Sequence, residues 1–67
     1  MSVVKIMDLI GSSTESWDDA GKEAIMEAAK TVRGITGCEV VAQSAEVSGD
    51  QITQFRTTVR IAFVVER

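Results

Sequence analysis

The chain has 67 residues, a formal net charge of −3, a hydrophobic fraction of 45%, one cysteine and no histidine. That length suits one domain, and a lone cysteine without histidine excludes both an internal disulfide and a zinc cage of the usual four ligands. The acidic balance and scattered bases offer nothing to nucleic acid phosphates, and no apolar run approaches the roughly 20 residues of a membrane span. A chain this short buries only about 60% of the surface its unfolded form exposes. With disulfide and metal removed, self-association is the expected source of extra stability. The start Met1-Ser2-Val3-Val4-Lys5 is too briefly apolar to read as a secretory signal, so the expected compartment is the cytoplasm.

Val3 to Ile10 predicts a strand, since both of its alternating faces, Val4-Ile6-Asp8-Ile10 and Val3-Lys5-Met7-Leu9, are largely apolar. Gly11-Ser12-Ser13-Thr14 predicts a break, with Ser12 and Glu15 at capping-box spacing. A helix is then expected from about Glu15 to Arg33. Its apolar stripe is Trp17, Ala20, Ala24, Ile25, Ala28 and Val32, its early acids and late bases match the helix dipole, and Gly34 serves as its stop. A second strand is expected over Cys38 to Val47, a tight turn at Ser48-Gly49-Asp50-Gln51, and a third strand from Ile52 to about Glu66. In that last strand Phe55, Thr57, Val59, Ile61 and Phe63 share one face, with Arg56, Thr58, Arg60 and Ala62 on the other. A helix of about 19 residues, roughly 28 Å long, cannot cover a strand of roughly 45 Å. Three strands also leave two open edges, which partner subunits normally consume.

The residues that could carry chemistry have simpler explanations. Trp17 sits at helical spacing and reads as packing. Cys38 has no neighbouring base to activate its thiol. Glu15, Asp18, Asp19 and Glu23 could ligate a hard cation, but acids belong at a helix start, so no metal is expected. Arg56 and Arg60 either bind phosphate-bearing ligands or carboxylates, or form ion pairs between subunits with Glu39 or Glu46. Gly11-Ser12-Ser13 lacks the lysine and glycine spacing of a phosphate loop and reads as a cap. Without histidine, tyrosine, a Ser-Lys pair or paired carboxylates there is no catalytic constellation, and the protein is not expected to be an enzyme.

Lys5-Ile6-Met7-Asp8-Leu9-Ile10-Gly11-Ser12-Ser13, Ser16-Trp17-Asp18-Asp19-Ala20, Ala28-Ala29-Lys30-Thr31-Val32, Glu39-Val40-Val41 and Val59-Arg60-Ile61-Ala62-Phe63 together resemble the dodecins. The resemblance covers nearly the whole chain and implies one dodecin-like domain over residues 1–67. The fold class it implies is α+β, in β-α-β-β order, with a three-stranded antiparallel sheet partly wrapped round one helix. It also implies twelve subunits in a hollow cubic shell, a homo-oligomer without nucleic acid or membrane partners. Flavin-binding dodecins hold flavin pairs near two-fold axes, stacked on a tryptophan and hydrogen-bonded by a glutamine, as buffers rather than enzymes. Here the tryptophan position before Glu39-Val40-Val41 is Gly37, and the glutamine position is Arg56. Losing the indole removes the stacking contribution, so riboflavin or FMN is expected to bind weakly or not at all. Two readings follow: a small-molecule binding and storage shell, or a structural or partner-binding oligomer without a flavin site.

Overall fold

The computed structural model describes residues 3–65. The expected strand end at Glu66, and Met1-Ser2, lie outside the described residues. Four elements follow in the expected order: β1 (Val3–Ser13), α1 (Trp17–Ala29), β2 (Ile35–Ser48) and β3 (Gln51–Val65). The sheet order is β1-β3-β2, with both outer strands antiparallel to β3. The longest alternating segment is thus the central strand, and both edges of the sheet are outer strands of 11 and 14 residues.

β1 does not stop at Ile10. Gly11, Ser12 and Ser13 stay in the sheet opposite Thr57, Arg56 and Phe55, because pairing along β3 outweighs their turn preference. Gly11 is required there by the close approach of the helix: a Cβ on it would lie 1.9 Å from the Ala20 carbonyl oxygen. The helix cap moves accordingly. Ser16, in extended conformation, is the N-cap, and its Oγ accepts the Asp19 N–H at 3.0 Å, so the Ser12–Glu15 capping box does not form. Ser13 instead accepts the Glu15 N–H at 2.8 Å and donates to the Asp19 carboxylate at 2.7 Å.

α1 ends at Ala29 with Lys30 as C-cap, so Lys30 and Arg33 lie beyond its last turn rather than inside it. The following residues turn the chain back onto the sheet, where the Gly34 carbonyl accepts the Val64 N–H at 3.0 Å. Gly34 has φ +78°, a left-handed conformation, and a Cβ on it would stand 3.0 Å from the Val64 carbonyl oxygen. It therefore marks where the chain rejoins β3 rather than where the helix stops, and β2 begins at Ile35 instead of Cys38. Bulges interrupt β2 between Ile35 and Gly37, between Val40 and Ala42, and between Glu46 and Val47. Gly49-Asp50 forms a two-residue hairpin turn, with φ +63° at Gly49.

The core lies between α1 and β3. Ala24 and Ala28 are buried against Val59 and Ile61, with Leu9, Ile25, Ile35 and Phe63 packed around them, and Ala20 is buried where the helix crosses Gly11. Small helix residues bring the backbone of α1 close to the sheet; a Cβ on Gly21 would be only 3.6 Å from the Thr57 methyl. The molecule nevertheless stays flat and long, measuring 52 × 19 × 12 Å. Its radius of gyration is 13.8 Å, against roughly 11 Å for a compact chain of this length. It exposes 5006 Å², where a globular monomer of this size exposes roughly 4,100 Å². Thirteen helical residues reach about 20 Å and cover less than half of β3.

Candidate functional site: the open face of the sheet

Antiparallel partners directly opposite one another share a face, so the register defines what lies away from the helix. Four cross-strand rows follow one another there: Ser12–Arg56–Ser44, Ile10–Thr58–Ala42, Asp8–Arg60–Glu39 and Ile6–Ala62–Gly37. Val4 and Val64 extend the apolar end. Val4, Ile6 and Ile10 are 55%, 64% and 69% exposed. Nothing among the described residues covers them.

Two ion pairs cross this face. The Arg60 guanidinium grips the Asp8 carboxylate with two bonds, Nε–Oδ1 at 2.9 Å and Nη2–Oδ2 at 3.2 Å. These hydrogen bonds hold the Asp8 carboxyl below its ordinary value of 3.8 and push Arg60 further up, with a lesser contribution from Glu39 on its other side. Arg56 Nη2 donates to Glu46 Oε2 and, at 3.4 Å, to Gln54 Oε1. Within one chain both arginines already have a carboxylate partner. Glu46 serves Arg56 within the same hairpin, and the carboxylate bonded to Arg60 is Asp8 on β1. Asp8 escapes a reading by periodicity, although a lone carboxylate in the row Val4-Ile6-Asp8-Ile10 is the signal that could have found it.

The two positions singled out by resemblance do not meet within one chain. Gly37 stands opposite Ala62, six residues along β3 from Arg56, which separates them by roughly 20 Å. Gly37 is exposed with no atom within 4 Å of where its Cβ would be, and its φ is not positive. Its backbone is therefore open to any side chain, but it supplies no aromatic platform. Within one chain, these two positions form no aromatic sandwich.

Trp17 does not fill that gap. It is half-buried at the start of α1, on the other face, where its ring meets Phe55 edge-on at 4.8 Å and 78°. Its indole N–H donates to the Ser44 carbonyl at 2.8 Å, and its own carbonyl accepts from the buried Thr57 hydroxyl at 2.7 Å. It pins the helix start across β3 to β2. Cys38 is exposed, opposite Ile61. Of the early helix acids, Asp19 is held by Ser13, while Glu15, Asp18 and Glu23 are exposed. Among the described residues no group of three or more histidines, cysteines or acids is placed to hold a metal ion.

A cleft of about 500 Å³ runs between β1 and α1, lined by Met7, Leu9, Gly11 and Ala28 with Glu23 and Glu27 on the helix side. A second depression of about 530 Å³ lies at Arg33, Gly34, Thr36 and Val64. Neither lining includes Gly37 or Arg56. No helix among the described residues is long and apolar enough to cross a membrane.

The family model described as Dodecin matches residues 3–66. The calcium dodecin of Mycobacterium tuberculosis is 33% identical over 63 residues, covering 94% of this chain and 89% of that protein. Its crystal structure, described as that of a calcium-chelating antigen with a novel calcium-binding site, superposes with a TM-score of 0.81 at 32% identity, over 91% of this chain and 87% of that one. A mutant of the Thermus thermophilus dodecin superposes with a TM-score of 0.94 over the whole of both chains, at 24% identity, a likeness of fold.

Proposed function

The chain belongs to the dodecin family, and on that premise we propose that it is a non-catalytic cytoplasmic subunit of a hollow homo-dodecameric shell. The shell binds or stores small molecules and holds flavin-type ligands only weakly. The observation that carries the reading is the uncovered apolar face of the sheet. Ile6 and Ile10, well over half exposed, lie on a molecule with some 900 Å² more surface than a globular monomer needs. That excess is close to the roughly 800 Å² each partner contributes to a standard protein interface. Because Gly37 and Arg56 stand far apart on one chain, a ligand touching both positions takes them from two copies, which accords with a site built between subunits.

A second reading, a structural or partner-binding oligomer without a flavin site, draws on the same two residues. Glycine offers no stacking surface, and an arginine replaces a neutral amide. A calcium role like that named for the mycobacterial relative would need carboxylates from more than one copy, given the scatter of acids within one.

Native mass spectrometry or light scattering tests the assembly: a mass near twelve subunits is expected, and a stable monomer or dimer overturns the shell. Riboflavin fluorescence titration separates the two functional readings. The natural protein should quench weakly or not at all. Gly37→Trp together with Arg56→Gln should create measurable quenching, since the backbone at Gly37 admits a side chain and open space surrounds it. Tight binding by the unmodified protein would make flavin storage its plain role.

A further inference from the structure

Arg56 occupies the place where the proposed pocket would meet a ligand, and its charge is already matched. Glu46 lies across the hairpin opposite Gln54, so the two side chains stand next to each other and both accept from Nη2 of Arg56. On either side of Arg56 the register places only Ser12 and Ser44, which are neutral. The next charged row is Asp8–Arg60–Glu39, where one guanidinium stands between two carboxylates. Among the described strand residues of this face, Asp8, Glu39 and Glu46 oppose Arg56 and Arg60, leaving one net negative charge per chain.

We propose that Glu46 sets the charge selectivity of the Arg56 position: it neutralises the guanidinium within the chain, turns away phosphate-bearing ligands and leaves the site to neutral ones. This rests on the reading above that Arg56 faces a ligand site. An incoming phosphate has to displace a carboxylate tethered on the same hairpin, whose effective concentration is of millimolar order. It also has to approach a face that is negative overall. Gln54 keeps the nitrogen nearest Glu46 occupied as well, so Arg56 has only its remaining N–H groups to offer, and these suit a neutral acceptor. The pair acts through occupancy and charge rather than through stability. Both side chains are close to half exposed, and such pairs contribute little to folding.

Glu46→Gln is the sharpest test, because the amide keeps the shape and can still accept from Arg56 while losing the charge. Sodium phosphate is titrated into the natural protein, Glu46→Gln and the double variant Glu46→Gln/Arg56→Gln. Melting temperature is followed at ionic strength matched with sodium chloride, and assembly is checked by native mass. Phosphate should bind Glu46→Gln about tenfold more tightly than the natural protein, the scale of one charge-assisted hydrogen bond. The gain should vanish in the double variant. Equal phosphate affinity with and without the Glu46 carboxylate, or a gain that survives loss of Arg56, overturns the proposal. Because the probe is phosphate, a failure of flavin binding or of the twelve-subunit mass speaks to the proposed function, and the phosphate result speaks to Glu46.

Discussion

On the helix face of β3, Thr57, Val59 and Ile61 are buried, and alanine and glycine on α1 bring the helix down onto them. One residue along in each case, on the open face, Arg56, Thr58 and Arg60 are only partly covered, and beside them Ile6 and Ile10 are exposed. The stretch of the first face beneath the helix is completed by the chain itself: its buried hydroxyls are bonded, its packing is close, and Gly11 is placed where a side chain would collide. The second is left open by the described residues. A single short helix finishes only the stretch of sheet beneath it, and the apolar residues left bare elsewhere are the kind of surface that association covers. Stability of the fold and the proposed assembly thus fall on opposite faces of the same sheet.

Substitutions on the helix face should cost the most. Ile61→Ala should lower the free energy of unfolding by about 4 kcal/mol, as expected for a fully buried aliphatic side chain. Gly11→Ala should lower it by about 3 kcal/mol, because the added methyl meets a backbone carbonyl that can move only with the helix. Urea unfolding measures both, and losses below about 1 kcal/mol would show that this face is not what holds the chain together.

Trp17 comes next and divides into two contributions. Trp17→Ala should cost about 3 kcal/mol through lost packing on Phe55, and Trp17→Phe about 1 kcal/mol through the lost bond to Ser44. Normal unfolding and assembly together with a changed ligand affinity would move Trp17 from the fold to the site. On the open face the order of effects reverses. Ile6→Ser with Ile10→Ser should alter the helical signal in circular dichroism little, yet reduce the mass seen by light scattering well below that of the natural protein. An unchanged mass would mean that this apolar face is not an interface.

Periodicity made one face legible and the other only in part. The alternation from Phe55 to Phe63, the helix itself and the Gly49-Asp50 turn are local patterns, and each stands where the sequence suggests. Gly11-Ser12-Ser13 misleads because its fate depends on residues more than forty positions away along β3, which no local preference encodes. The same holds for the ion pairs. Arg60 meets Asp8 across 52 residues of chain, so its partner follows from register alone. Gly37 and Arg56 are picked out by resemblance as two positions of a flavin pocket, and only the pairing of β2 with β3 shows that they stand six residues apart along β3. The helix is shorter than its stripe because the chain must turn at Lys30 to Gly34 to reach the far edge of the sheet, a requirement of topology rather than of propensity.

The smallest effect concerns Asp8, and its sign is fixed by the pair it forms. Arg60 holds the Asp8 carboxyl below its ordinary 3.8, so near that pH the unfolded chain binds more protons at this group than the folded one. Stability from the pair is therefore fully present above about pH 4 and is lost as pH falls through the lowered folded value. Both partners are close to half exposed, so the contribution is modest and screened by salt. Urea midpoints of the natural protein and Asp8→Asn should differ at pH 7, with the variant the weaker. They should converge as the pH is taken well below 3.8, and the pH 7 gap should narrow in about 1 M salt, where the Debye length is roughly 3 Å. A gap that persists unchanged at low pH would mean that Asp8 acts through its shape in the row Asp8–Arg60–Glu39. In that case the open face would be held in register by packing, as the helix face is, rather than by charge.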